Sequence, residues 1–358
     1  MRVTTPWIYS PKFDLTAIIG PPVVVTCVVL LFGHQIEAMS EAPAWLWILL
    51  VLGIDVAHVY SSLFRTYFDR EEFARRRTLY LTVPVLSWGV GVAIYALWGM
   101  GAFWSCVAYA AIYHFVRQQY GFMMLFRRGE PTRTWDCRLD QAAIYLATVY
   151  PLVHWHTYGR DFTWFENFEV IRIPVTWPEQ VCRFLYIGCL VGFLGKEAFY
   201  AFQRKALNLG KVLLLVATAG AWGTGILLFN GDLTFTLINI VSHGVPYMAL
   251  IWIYQYRKGS RPEQVGNRFL RFFQLKYVPV YLAVLFALAY FEEGLWDWMV
   301  WKESPGIFGS VSLQPPAIVL TLLVPLLTMP QVTHYVLDAF IWRVNKAKEK
   351  KDLRTVIG

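Results

Sequence analysis

Charged residues are scarce in this chain. Asp, Glu, Lys and Arg make up 16% of its 358 residues, whereas a soluble protein has about 25%. Hydrophobic residues make up 57%, and apolar runs of roughly 17–25 residues, the length that crosses a bilayer, recur throughout. These figures exclude an ordinary soluble domain and predict an integral membrane protein. We therefore attribute the net charge of +8 to Lys and Arg at the membrane surface and expect no nucleic-acid partner.

Several catalytic motifs are also missing. The HxxxH and HxxHH boxes of membrane desaturases do not occur, and neither do HExxH, GxSxG or the GK[ST] phosphate loop. The five cysteines form no CxxC pair, which argues against a disulfide framework. Residues 71–76 fit the EExxxR pattern of intramembrane prenyl-protein proteases, but no FxxxH box accompanies them. We interpret these glutamates as a solvated charge cluster within an arginine-rich cytoplasmic loop.

The apolar segments predict ten membrane-spanning helices. A short turn near Gly99 and Gly101 separates the third from the fourth, and an Asn-Gly-Asp turn at 230–232 separates the seventh from the eighth. The predicted spans are 15–33, 44–64, 79–98, 101–126, 139–155, 178–203, 211–229, 232–254, 277–293 and 316–342. The predicted fold class is an all-α polytopic membrane bundle, with residues 1–358 forming a single transmembrane domain.

The distribution of Lys and Arg predicts the orientation of these spans. Of the 32 such residues, 28 fall on one side of the predicted membrane. The four on the other side are Arg160, Arg172, Arg183 and Lys302. The positive-inside rule then places both termini in the cytoplasm, together with an amphipathic link at about 255–276 and a basic tail at 343–358. The first apolar run is too long for a cleaved signal peptide. We expect a multi-pass protein of a bacterial cytoplasmic membrane that contacts membrane lipids.

Four histidines lie one apiece on four of these spans. They are His58, His114, His243 and His334, on the second, fourth, eighth and tenth spans. These spans all run in the same direction, and each histidine lies in the cytoplasmic half. Because an imidazole in hydrocarbon is costly, such residues indicate a functional site. Four at one depth predict a shared metal site, with these histidines as its ligands.

A carboxylate or amide lies about one helical turn from each of these histidines, where it can support an imidazole. We expect the carboxylates to serve as further ligands or to orient the histidines. These are Asp55, Asp338 and also Glu197, which lies near the cytoplasmic end of the sixth span, a span without a histidine. We expect the amides to orient imidazoles or to bind water. These are Gln118, Asn239 and Gln331.

Imidazoles supported by carboxylates suit Fe, Zn, Cu or Ni. We favour non-haem iron, mononuclear or dinuclear, because it oxidises lipid-soluble molecules within membranes. The resulting hypothesis is a metal-dependent oxidoreductase or oxygenase. Its substrate would be a hydrophobic lipid or isoprenoid-type molecule, and an electron-donor protein could serve it. The aromatic residues would line a pocket open to lipid.

Two alternatives remain open at this stage. The first is a haem-binding electron-transfer protein, because haem iron also takes axial imidazoles. The second is a proton-coupled transporter, in which His, Asp and Glu form a relay across the bundle. His34, His154 and His156 lie at the outer ends of the first and fifth spans, and we expect no ligand role for them.

Overall fold

The computed structural model describes residues 2–3, 7–39, 42–128, 130, 134–160, 170–204, 206–264 and 266–342. The predicted basic tail at 343–358 lies outside these residues. The described chain is almost entirely helical, as the sequence predicts. A pairing of two residues each, Arg2–Val3 with Ala206–Leu207, is parallel.

The helices are numbered here in chain order. They are α1 Pro11–Glu37, α2 Ala44–Phe64, α3 Arg70–Arg75, α4 Arg77–Phe126, α5 Trp135–Tyr158, α6 Trp177–Arg204, α7 Leu209–Leu228, α8 Asp232–Gly259, α9 Arg268–Arg271, α10 Leu275–Trp301, α11 Pro305–Phe308 and α12 Ala317–Ile341. Parts of α1, α2, α7 and α10 are wound as π-helix.

Eight helices of the described chain are long and apolar enough to cross a membrane: α1, α2, α4, α6, α7, α8, α10 and α12. They suggest a multi-pass membrane protein. Because α4 holds the third and fourth predicted spans, these eight helices contain nine of the ten. The remaining span, 139–155, lies in the helix α5, which is less apolar because it carries charges at its start and two histidines at its end. A count of ten spans is therefore not confirmed.

The turn predicted between the third and fourth spans is a break inside α4. Gly99 has φ 83° and ψ 178°, and the chain on both sides of it is helical. This backbone region is essentially restricted to glycine. The separation of the two spans thus depends on one residue without a side chain.

The chain divides into two compact units. Unit 1 comprises Met1–Ala42 and Ile112–Pro246, and unit 2 comprises Pro43–Ala111 and Tyr247–Ile357. Both α4 and α8 contribute residues to each unit. The amphipathic link at about 255–276 belongs to unit 2, where it holds the end of α8, a short 3-10 turn and α9 rather than one continuous helix.

Unit 1 has an apolar core that joins α1, α4, α5, α7 and α8. Val29, Trp155 and Ile226 are among its buried members. Helix α5 also packs along α6 and α7. Between apolar helices in a bilayer such contacts are stabilised by close van der Waals packing, and this core joins five helices of the unit.

A buried ion network lies beside that core in unit 1. Asp140 is fully buried and pairs with Arg127, Lys196 and Lys211. Glu197 pairs with both lysines, at 3.0 Å and 2.9 Å. Such charges are tolerated in an apolar bundle because each has an opposite charge nearby. The network therefore joins α5, α6 and α7 through their polar ends.

Unit 2 contains a cluster of large aromatic residues. Trp104 of α4 packs against Trp296 and Trp301 of α10, with ring centroids 5.9 Å and 5.8 Å away. Val324 and Leu327 of α12 complete this buried cluster. Three helices of unit 2 are thereby fixed to one another over a broad contact.

A second ion network lies in unit 2, between the ends of the apolar helices. Glu72 of α3 is buried and pairs with Arg65, Arg75 and Arg76. It also accepts a hydrogen bond from the Tyr80 hydroxyl at 2.8 Å. The expectation of a solvated charge cluster at 71–76 is therefore wrong for Glu72, whose buried carboxylate pairs with arginines, and agrees with Glu71, which is 61% exposed.

The break in α4 generates a prediction about stability. Gly99→Ala forces a side chain into a backbone region that costs about 1–3 kcal/mol for other residues, and we expect a lower unfolding temperature in detergent. Gly101→Ala is the matched control. A side chain there meets open space, and Ala favours the helix by up to about 1 kcal/mol. Equal unfolding temperatures for the two variants would contradict the role given to Gly99.

The buried glutamate generates a second prediction. Glu72→Gln removes the charge opposite Arg65, which is 1% exposed. Breaking a buried pair costs about 3–5 kcal/mol, so thermal unfolding should begin well below that of the wild type. Glu71→Gln serves as the control, because Glu71 is 61% exposed in its pair with Lys258 and such pairs contribute at most about 1 kcal/mol.

This contribution should also depend on pH. Burial raises the pKa of Glu72, but Arg65 and Arg75 lower it further, so that it lies below the ordinary value of 4.5. The carboxylate therefore stabilises the fold above pH 4.5, and this stability is lost as the pH falls through the folded-state pKa. The difference between wild type and Glu72→Gln should shrink in acid. A difference that grew on acidification would contradict the assignment.

Candidate metal centre

Two of the predicted ligands form a close pair in unit 1. His114 on α4 and His243 on α8 approach to 3.1 Å between their Nε2 atoms, and both are buried. A neutral imidazole has one donor and one acceptor nitrogen. The pair can therefore share a hydrogen bond, or it can direct both Nε2 lone pairs at one ion.

The surroundings of His243 are partly polar. Gln118, one turn after His114, donates from Nε2 to the His243 carbonyl oxygen at 3.0 Å. The buried Gln118 Oε1 has no hydrogen-bond partner among the described residues. Asn239 instead donates to the carbonyl oxygen of Phe235 on its own helix, at 3.1 Å. Of these two amides, Gln118 is the one that holds the backbone of a histidine.

The other two predicted ligands form a pair in unit 2. The ring centroids of His58 on α2 and His334 on α12 are 5.1 Å apart, and both rings are buried. Tyr247 packs edge-on against both, with centroids 6.0 Å from His58 and 4.9 Å from His334. The tyrosine ring thus restricts the rotation of both imidazoles.

The Nδ1 side of His58 faces its own helix. Nδ1 lies 3.3 Å from the Ile54 carbonyl oxygen and 3.8 Å from Oδ1 of Asp55. Such contacts select the tautomer with hydrogen on Nδ1 and leave Nε2 as the atom that can bind a ligand. The π-helical stretch Ile48–Val56 ends just before this histidine. Its widened turns carry the Ile54 carbonyl and Asp55 to this side of the ring.

Together the four histidines form one buried cluster. Each offers one ring nitrogen, and these four atoms lie within 4.8 Å of one another. A bound ion holds each imidazole nitrogen at about 2.0–2.1 Å, and this group could hold a metal ion. Among the described residues, no cysteine or carboxylate joins this group.

The remaining predicted residues lie in different surroundings. Asp338 accepts a hydrogen bond from Trp342 Nε1 at 2.8 Å and interacts electrostatically with Tyr247. Glu197 belongs to the lysine network of unit 1. Gln331 lies three residues before His334 and makes no hydrogen bond to a described residue. Asp55 is therefore the predicted carboxylate that stands beside a histidine of the cluster.

Two carboxylates inside an apolar helix of unit 2 are not among the residues predicted from the sequence. Glu292 on α10 is 3% exposed and accepts a hydrogen bond from the Tyr60 hydroxyl at 2.5 Å. Glu293 is its neighbour, and both interact electrostatically with Asp55. The predicted ninth span ended at 293, which put both glutamates at a helix end. Because α10 continues to Trp301, they lie inside it. The sequence does carry a signal for this longer helix, because apolar residues resume after the two glutamates.

The histidines expected to have no ligand role lie apart from the cluster. His34 packs on Phe229, with ring centroids 5.3 Å apart. His154 lies 3.8 Å from Glu179, and His156 Nδ1 lies 2.6 Å from the Leu152 carbonyl oxygen. These two residues therefore provide matched controls for histidine substitutions.

No family model, curated protein or solved structure matches this chain. A proposal about its function must therefore start from the histidine cluster and its surroundings.

Proposed function

We propose that the protein is a membrane-embedded, metal-dependent oxidoreductase, with non-haem iron bound by His58, His114, His243 and His334. The observation that supports this most strongly is the approach of four buried imidazole nitrogens to within 4.8 Å. Moving a polar group out of water costs about 2–7 kcal/mol on different scales unless that cost is compensated. A bound cation would attract all four lone pairs at once.

The chemistry of the donors supports a borderline transition metal. Imidazole suits Fe, Zn, Cu and Ni, whereas Mg and Ca prefer oxygen ligands. Bound iron would supply redox chemistry, including activation of dioxygen, at positions that the imidazoles leave open. Haem fits less well, because the porphyrin already supplies four nitrogens and leaves two axial positions. Four imidazoles around one iron leave no room for the ring.

Residues of this chain would prepare the site. Asp55 and the Ile54 carbonyl orient His58, and Gln118 holds the backbone at His243. Tyr247 keeps His58 and His334 in place. The Gln118 Oε1 atom would accept a hydrogen bond from water or substrate. The burial of the four rings excludes bulk water, which strengthens every charge interaction at the site.

The location of the four histidines supports a hydrophobic class of substrate. All four histidines lie on helices long and apolar enough to cross a membrane. A molecule that reaches them from the bilayer must itself partition into hydrocarbon. We therefore propose a hydrophobic lipid or isoprenoid-type substrate, with reducing equivalents delivered by an electron-donor protein.

The three acidic residues of unit 2 favour a second candidate. Asp55, Glu292 and Glu293 interact electrostatically inside the apolar helices, and intramembrane carboxylates are typical of proton pathways. A proton-coupled transporter would use them together with His58. The two candidates differ in composition, since the transporter would hold no stoichiometric metal.

The iron proposal predicts the result of replacing each histidine. Purified His58→Ala, His114→Ala, His243→Ala and His334→Ala should each contain less than about a tenth of the wild-type iron, because each loses a ligand. His154→Ala and His156→Ala should keep wild-type iron. Iron content is measured by mass spectrometry on monodisperse protein. Equal metal in all six variants, or a Soret band in the wild type, would overturn the proposal.

The orientation of His58 predicts a smaller, graded effect. Asp55→Asn should weaken iron binding about 10–100-fold, as is typical when the partner of a metal-bound histidine is lost. Asp136→Asn should change it little, because Asp136 accepts a hydrogen bond from the Tyr200 hydroxyl and is no part of the histidine cluster. Affinity is measured by competition with a chelator. Equal losses in the two variants would show that Asp55 has no special role.

A further inference from the structure

A cleft opens at the surface of unit 2, between α3, the end of α8 and α9. Its volume is about 440 Å³, within the usual range of ligand sites of about 300–1,000 Å³. The charged residues of its lining are Asp69, Arg70, Glu71, Lys258 and Arg268. Phe68 and Phe269 contribute apolar surface to the same cleft. Nothing in the proposed metal chemistry uses it.

The acidic residues of the cleft both pair with one lysine. Lys258 Nζ lies 2.7–2.8 Å from both oxygens of Asp69 and 2.9 Å from Glu71. Hydrogen bonds from Lys258 and Gln264 lower the pKa of Glu71, so this acid is ionised at neutral pH. The negative charges of the two acids are thus directed largely at one lysine.

The two arginines of the cleft, by contrast, do not pair with an acidic residue of the described chain. Arg70 and Arg268 are exposed, and neither forms an ion pair or hydrogen bond with another described residue. Arginine presents a planar fork of donors that matches the oxygens of a phosphate. The cleft therefore offers two unengaged guanidinium groups to an anion.

The wall of the cleft that carries Arg268 is held rigidly. Phe64 of α2 stacks on Phe272, with centroids 5.6 Å apart, and contacts Phe273 edge-on at the same distance. Asn267 begins α9 by accepting hydrogen bonds from the Phe269 and Leu270 amides. Arg268 therefore projects from a fixed segment, which reduces the entropy lost when it binds a ligand.

The position of the cleft indicates the source of the anion. It lies where the apolar helices α2 and α8 end and α10 begins. Phe68, which follows α2, is 45% exposed, and Leu275, which begins α10, is 72% exposed. Cationic and apolar groups side by side at this level are typical of surfaces that contact anionic lipid.

We propose that this cleft binds the phosphate of an anionic phospholipid headgroup through Arg70 and Arg268. The exposed Phe68 and Leu275 lie alongside the first part of the acyl chains. The site is independent of the metal cluster, and it would persist if the proposed enzymatic function were wrong.

The test uses the full-length protein in neutral detergent and native mass spectrometry with added dioleoyl-phosphatidylglycerol. We expect a lipid adduct whose affinity falls roughly 30-fold in the double variant Arg70→Gln/Arg268→Gln, from the typical contribution of two such charges. The control Arg271→Gln/Lys276→Gln removes the same charge from exposed positions outside the cleft lining, and it should bind like the wild type.

Three further results would overturn the proposal. Equal binding of dioleoyl-phosphatidylcholine would show that the headgroup charge is not recognised. Equal losses in the two double variants would assign binding to diffuse surface charge. Displacement of the lipid by millimolar inorganic phosphate would identify free phosphate as the ligand. Unfolding temperatures of both variants, expected to match the wild type because all four residues are exposed, confirm that the fold is intact.

Discussion

The need to satisfy polar groups inside an apolar bundle shapes this protein. Lipid offers no hydrogen-bond partners, so a buried polar side chain must find them within the protein. The structure meets this requirement in three ways. Most buried charges pair with opposite charges near helix ends, and many hydroxyl groups bond to their own helix. The four histidines instead approach one another. Because imidazoles can offer lone pairs as well as hydrogens, such a group could hold a cation.

In each of the two ion networks, basic side chains compensate the charge of a buried carboxylate. Asp140 in unit 1 and Glu72 in unit 2 each face two or more cations. The acidic group of Asp55, Glu292 and Glu293 is arranged differently, because its members lie near one another rather than near cations. Glu292 has a tyrosine hydroxyl as its partner. The paired carboxylates therefore stabilise the fold, whereas the group of three acidic residues suggests a function.

Much of the candidate site could be predicted from the sequence, for a simple physical reason. Apolar runs and the positions of Lys and Arg give the direction of each span, and counting residues along a span gives depth. Direction and depth together are enough to predict that His58, His114, His243 and His334 lie at one level. The structure brings their nitrogens together, although whether they bind a metal stays a prediction.

The rotation of each helix and its true end could not be predicted in this way. Asp338 accepts a hydrogen bond from Trp342, and Glu197 pairs with lysines, rather than contacting a histidine as predicted. Such choices depend on packing against neighbouring helices, which no spacing within one helix reveals. The predicted ends of the helices were wrong for a similar reason. The ninth span was predicted to end at its first pair of charges. Because α10 continues to Trp301, Glu292 lies in the interior of the helix and not at its end.

In the proposed site, four imidazoles of one chain bind one metal centre. X-ray absorption spectroscopy of the metal in the purified protein examines this binding, because the absorption edge identifies the element and the outer-shell scattering counts imidazole rings. We expect iron with about four imidazoles at roughly 2.0–2.2 Å. A spectrum with two imidazoles and four porphyrin nitrogens, or protein that binds no transition metal at all, would contradict it.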